Sequence, residues 1–433
     1  VGAAIGDPAR PRRQVDGTAQ AAEACWAVRR SMSDAAIPVS NGMVCRARHE
    51  HDETDTRGTA LTSNPLLELA SLGQSVWLDY IDRRILSDGT LDGLIQNDRL
   101  AGLTSNPAIF EKAISHGVAY SDAIAHLVRK GMRVGDLYQQ LVVDDIGRAA
   151  DRFMPVYESS GGRDGFVSIE VSPLLARDAA ATLIEARKLW SVLSRPNIMI
   201  KVPGTREAIP AIGRLLREGI NVNVTLLFSV GRYVEVLGAY MNALEARQSA
   251  GLPLAGIASV ASFFLSRIDV KVDAALDLWA SKGDIDAAAA HALRGQAAIA
   301  SAGFAYRRFQ QSISEPRWRA LQAAGAMTQR LLWASTGTKD PRYSDVKYVE
   351  ALVAADTVNT LPLETLAAYR DHGRPVARID EAMQSGSAVM HGLTQLGIDM
   401  HEIDNSLEQE GIEKFIKPYQ SVLHALQSFG ASA

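Results

Sequence analysis

Asn197-Ile-Met-Ile-Lys-Val-Pro-Gly-Thr205 is a short apolar run that carries one lysine and closes on Pro203-Gly204. Its length and lack of alternation predict a strand over Asn197–Val202, buried on both faces of a parallel sheet and ending in a turn. Runs of the same kind recur along the chain, at Ser75–Tyr80, Leu100–Ser105, Phe166–Val171, Asn221–Phe228, Ile257–Leu265, Arg330–Ser335 and Thr357–Leu361. Longer stretches with helical spacing separate them. About eight strands alternating with helices is the pattern of an α/β protein, a (β/α)8 barrel, with an open doubly wound sheet as the alternative. The text from Val270 to Gln329 predicts extra helices inserted between the sixth and seventh strands. His401–Phe429 predicts closing helices at the C-terminus.

Residues 62–433 are therefore read as one barrel domain. Residues 1–61 differ: they hold Arg but no Lys, and show no sustained period. They are expected to form a weakly ordered extension before the helix start at Asn64-Pro65, where Asn suits the N-cap and Pro the first turn. Asp7, Asp16, Glu23 and Asp34 argue against a transit peptide, and no basic patch precedes an apolar core as in a secretory signal. Cys45, His49 and His51 do not make a convincing metal cluster, because ligands need a fixed scaffold.

The 433 residues are 47% hydrophobic and 22% charged, with a formal net charge of −4. That balance gives no footprint for nucleic acid, and no run is long enough to span a membrane. Cys25 and Cys45 are the two cysteines. The barrel thus has no disulfide framework, no cysteine nucleophile and no thiolate metal site, which fits a reducing cytoplasm.

Lys201 stands out within its apolar strand. A charged ammonium is costly to bury, whereas a neutral amine in a closed site attacks carbonyls and forms a Schiff base. The plainer reading is a structural lysine paired with a carboxylate. The other strands favour chemistry. Alternate residues of a barrel strand face inward, and active sites gather at the C-terminal strand ends. On that reading Glu170, Asn223 and Thr225, Asp79, and Asn106 converge on the end that carries Lys201. Polar residues at the same end of five strands are hard to account for by packing, since each buried polar group needs partners. Glu170 is placed to exchange protons with the amine, directly or through a water held by Thr225, and Asp79 to move a proton on a substrate hydroxyl. The tetrapeptide Thr-Ser-Asn-Pro occurs at 62–65 and again at 104–107; only the second copy follows a strand. Ser262-Phe-Phe-Leu-Ser-Arg267 leaves a strand and enters a helix, a place that suits a phosphate. Lys339, in Ser335-Thr-Gly-Thr-Lys339, is a second candidate for phosphate. Gly161-Gly-Arg-Asp-Gly165 precedes a strand and is a turn, not a dinucleotide fingerprint.

From Asn64 onward the chain resembles the transaldolase family. The resemblance rests on Gly-Leu-Thr-Ser-Asn-Pro (102–107), Ile-Lys-Val-Pro-Gly-Thr (200–205), Asn-Val-Thr-Leu-Leu-Phe-Ser (223–229) and Ser-Phe-Phe-Leu-Ser-Arg-Ile-Asp (262–269), in that order. It implies a class I aldolase-like barrel that moves a dihydroxyacetone unit from a ketose phosphate to an aldose phosphate in the pentose phosphate pathway, with no metal or organic cofactor. By resemblance Lys201 forms the Schiff base, Glu170 is the acid/base, Thr225 positions its water and Asp79 handles the hydroxyl proton. Asn106 and Ser262 bind the dihydroxyacetone part, Phe264 shapes the pocket and Arg267 binds phosphate. Many relatives carry an arginine after the seventh strand where this chain reads Ser-Thr-Gly-Thr-Lys; Lys339 is the expected substitute. The implied partners are sugar phosphates, and the implied assembly is a monomer or homodimer. The rival within the same barrel type is a Schiff-base lyase that releases free dihydroxyacetone. A non-catalytic barrel has no reason to keep Lys201, Glu170 and Asp79 together.

Overall fold

In a computed structural model, residues 64–281 and 287–432 are described. The segment 1–61, and with it Cys45, His49 and His51, lies outside the described residues. Eight strands form a closed, all-parallel barrel in chain order: β1 (Gln74–Leu78), β2 (Gly102–Thr104), β3 (Phe166–Glu170), β4 (Ile198–Pro203), β5 (Val222–Leu227), β6 (Ser259–Phe264), β7 (Arg330–Ala334) and β8 (Thr357–Leu361). β1 closes the ring on β8, with Trp77 opposite Thr360 and Leu78 opposite Leu361. Each strand lies within a predicted run except β1, which starts one residue before its run, and β4, which ends at Pro203, one residue past Val202. Most runs are longer than the strand they contain because buried residues continue beyond its ends. Leu100 and Ala101, for instance, are buried before β2 begins.

The strands lack alternation because both faces are covered, inward by the barrel core and outward by helices. Val222, Val224, Ile198, Ile200, Leu331 and Val358 are all fully buried. The N-terminal end of the barrel is closed by ions instead. Arg330 donates to Ser75 Oγ at 2.8 Å and to Asp164 Oδ1 at 2.8 Å. Asp164 sits in the turn Gly161–Gly165, where three glycines have positive φ. A Cβ on Gly165 would meet the backbone nitrogen of Tyr157 at 2.3 Å, so only glycine fits there.

The insertion between β6 and β7 is helical as expected, comprising Ser266–Ala280, Ala287–Leu293, Ala297–Ser314 and Pro316–Ala323. Buried Asp269 ties it to the barrel, accepting from Ala298 N and Tyr348 Oη at 2.8 Å each. The C-terminal closing element is one long helix, Met400–Ser432, packed against the helices Pro107–His116 and Val134–Ser159 and the end of β5. Both Thr-Ser-Asn-Pro copies cap helices. Asn64 Oδ1 accepts from Leu66 N, and Asn106 Oδ1 accepts from Ala108 N and Ile109 N. The local job is the same, and only the second copy reaches the barrel mouth.

Candidate active site

β4 presents Lys201 between Glu170 of β3 and Asn223 of β5, its register partners. Lys201 Nζ donates to the Ser105 carbonyl at 3.2 Å and lies 3.7 Å from Glu170 Oε2. The second distance is that of an ion pair, too long for a hydrogen bond. The two side chains are 5% and 3% exposed. Both carboxylate oxygens of Glu170 and the hydroxyl of Thr225 are buried without a hydrogen-bond partner. Burial pushes the Glu170 carboxyl up to about 7; the Lys201 cation opposes the rise and the Asp79 carboxylate adds to it.

Asp79 follows β1. Its backbone nitrogen donates to the Leu361 carbonyl at 2.8 Å, and its Oδ1 accepts from Thr104 Oγ1 at 2.8 Å. Burial raises the Asp79 pKa, with Lys201, the Thr104 hydrogen bond and Arg267 opposing. Ser262 Oγ donates to Asn223 Oδ1 at 2.7 Å, and Asn223 Nδ2 donates to Ser168 Oγ at 3.0 Å. This chain across β3, β5 and β6 fixes the serine hydroxyl and leaves its lone pairs free. At the end of β5 a bulge places Leu226 at φ 59°, directly after Thr225. Such backbone is costly for a branched residue and tends to cluster at active sites.

Arg267 is the second residue of the helix after β6. Its Nη1 is buried without a partner, and its guanidinium stacks 5.4 Å from the Phe264 ring and 5.8 Å from the Phe415 ring. Burial lowers its pKa, against the pull of Asp79 and Glu170. A desolvated, half-unpaired guanidinium is a strong anion site.

A cavity of about 470 Å³ at the barrel mouth is lined by Asp79, Asn106, Lys201, Ser262, Phe264, Arg267 and Lys339. Seven of the nine candidate residues therefore meet in one space. Thr225 is fully buried and lines neither this cavity nor its neighbour. Glu170 reaches Lys201 but lines a neighbouring cavity of about 380 Å³ with Ser105, Asn106 and Tyr138. Lys339 is exposed at the rim. Sequence reasoning missed Thr104, Glu364, Lys414 and Phe415, which also line the larger cavity. Thr104 lay within a quoted motif and could have been found from its inward register on β2. Phe415 comes from the C-terminal helix and carries no local signal. Among the described residues, no three His, Cys, Asp or Glu side chains are grouped as metal ligands.

Residues 76–426 match the family model described as Transaldolase/Fructose-6-phosphate aldolase. This chain belongs to that family. "Transaldolase 2" of Nostoc sp. is 45% identical over 369 residues, covering 84% of this chain and 97% of the relative. "Transaldolase" of Trichodesmium erythraeum is 45% identical, covering 85% and 98%. "Transaldolase 1" of Streptomyces coelicolor is 45% identical, covering 86% and 96%. The chain is an enzyme, a transferase that carries a dihydroxyacetone unit from a ketose phosphate to an aldose phosphate. Sugar phosphates are its substrates. No helix among the described residues is long and apolar enough to cross a membrane.

Proposed function

We propose that Lys201 is the Schiff-base nucleophile of this transferase and that Glu170 and Asp79 divide the proton transfers between them. The observation that carries the proposal is a buried amine 3.7 Å from a buried carboxylate, at the wall of a cavity that is also lined by Asp79 and by Arg267, whose Nη1 is buried without a partner. Glu170 takes the ammonium proton, and the freed amine adds to the ketose carbonyl. One proton passes from the nitrogen to the oxygen to give the carbinolamine; Glu170 then returns its proton to that hydroxyl, through a water held by Thr225, and the oxygen leaves as water. The iminium withdraws electrons from the bond that joins its neighbouring carbon to the next, hydroxyl-bearing carbon. Asp79 removes the proton from the hydroxyl beyond that bond; the bond breaks, an aldose phosphate departs, and the electron pair stays on Lys201 as an enamine. The enamine carbon attacks the acceptor aldehyde, whose oxygen takes the proton back from Asp79. Water then adds to the iminium carbon, the carbon–nitrogen bond breaks, and Lys201 is restored.

Asn106 and Ser262 orient the dihydroxyacetone hydroxyls, Phe264 bounds the pocket, and Arg267 holds the phosphate with Lys339 at the rim. The pathway setting is the pentose phosphate pathway and the compartment the cytoplasm, in keeping with a barrel free of cysteine. A monomer or homodimer suffices, because one chain supplies every side chain named. The chemistry draws its electron sink from the iminium, so turnover is expected to persist in excess EDTA. Loss in EDTA that a divalent ion restores would contradict this. Lys201→Ala should abolish turnover and keep the melting temperature within a few degrees of the parent; normal activity in that variant would remove Lys201 from the role.

A further inference from the structure

We infer that Phe415 is a specificity-determining residue, an apolar wall over the Schiff-base nitrogen that keeps the enzyme to transfer and suppresses release of free dihydroxyacetone. The inference rests on the assignment of Lys201 as nucleophile. Phe415 comes from the Met400–Ser432 helix and is only 4% exposed, yet it lines the cavity with Lys201. Its ring centroid lies 5.9 Å from Lys201 Nζ and 5.8 Å from Arg267 Cζ. Phe264 covers the same guanidinium at 5.4 Å, and Phe228 packs on Phe264 at 5.3 Å. Phe415 and Phe264 thus line the cavity beside the guanidinium, Phe415 also faces the amine, and Phe228 backs Phe264. The helix is seated by Gly411, one turn before Phe415 and on the same face. A Cβ at Gly411 would meet Leu226 Cδ2 at 3.1 Å and Phe228 Cε2 at 3.3 Å, so the missing side chain lets the helix approach β5 closely.

The chemistry gives this wall a task. Between departure of the first aldose and arrival of the second, the enamine must survive. In transfer its carbon forms a bond to the acceptor aldehyde. In release the same carbon takes a proton from water instead; a hydroxide equivalent adds to the resulting iminium, the carbon–nitrogen bond breaks, and dihydroxyacetone leaves with Lys201 restored. The net cost is one water per enamine. Both routes end with water adding to an iminium, so the step that only release uses is protonation of the enamine carbon; an apolar wall that keeps water from the waiting enamine slows that step selectively. Phe415 forms that wall of the cavity, and a smaller residue opens it.

The test uses the full chain with fructose 6-phosphate as donor and erythrose 4-phosphate as acceptor. Free dihydroxyacetone is measured against transfer product for the parent, Phe415→Ala and Phe415→Leu. The ratio should rise by about tenfold in Phe415→Ala and by less in Phe415→Leu, which keeps much of the volume. Partial unfolding lowers both products together and leaves the ratio alone, and Phe415→Leu supplies the ratio if the alanine variant does not fold. An unchanged ratio in the folded variants overturns the role of Phe415. Borohydride trapping with fructose 6-phosphate separates the two claims. Label at Lys201 with an unchanged ratio sinks only the Phe415 inference, and label at another lysine sinks both.

Discussion

Glu170 is held near neutrality by two opposing effects, burial and the Lys201 cation, and activity should report it. The ammonium of Lys201 needs a proton acceptor before it can attack. Below about pH 7 Glu170 already carries a proton and cannot accept another. The value of kcat/KM should therefore fall about tenfold per pH step below about 7 and level off above it. Glu170→Gln should lower turnover by roughly 10²–10⁴-fold and erase that limb. A mutant that keeps the limb would assign the ionisation elsewhere. Arg267→Ala should weaken phosphorylated substrates by about 1.5–3 kcal/mol relative to unphosphorylated analogues, with a smaller effect for Lys339→Ala. Equal losses on both substrate types would make Arg267 structural. These residues were legible because packing alone seldom puts a charged or amide side chain at the end of an apolar strand. Lys339 follows its strand by several residues, so its place at the exposed rim could not be read from register.

At the scale of elements, the strands were readable because a barrel buries both faces of each one. What escaped was the part of the C-terminal helix in the site. Its helical spacing over His401–Phe429 predicts a closing element, but nothing local to Phe415 says that it meets a lysine more than two hundred residues earlier. That contact depends on the close approach at Gly411. Gly411→Val should overpack the contact with Leu226 and Phe228 and cost about 1–3 kcal/mol of stability. Valine is no worse a helix former than glycine, so the loss would report on packing. Thermal unfolding of parent and variant checks it; an unchanged midpoint would show that the helix shifts without cost. The bulge at Leu226 was equally invisible, since nothing in Asn223-Val-Thr-Leu-Leu marks the residue that turns.

At the scale of the whole molecule, the barrel closes using residues from Gln74 onward, and near-complete relatives align with 84–86% of the chain. A chain beginning at Thr62 should therefore keep its melting temperature and turnover and become insensitive to thiol reagents, because Cys25 and Cys45 go with the segment removed. Insolubility or a large drop in midpoint would show that the barrel depends on residues 1–61. The intact molecule also permits the most direct test of the central claim, that one buried lysine carries the reaction. The protein is incubated with fructose 6-phosphate, reduced with borohydride, digested and weighed by peptide. The account predicts inactivation with a reduced three-carbon adduct on Lys201, absent from Lys201→Ala; an adduct on any other lysine, or inactivation without one, would contradict it.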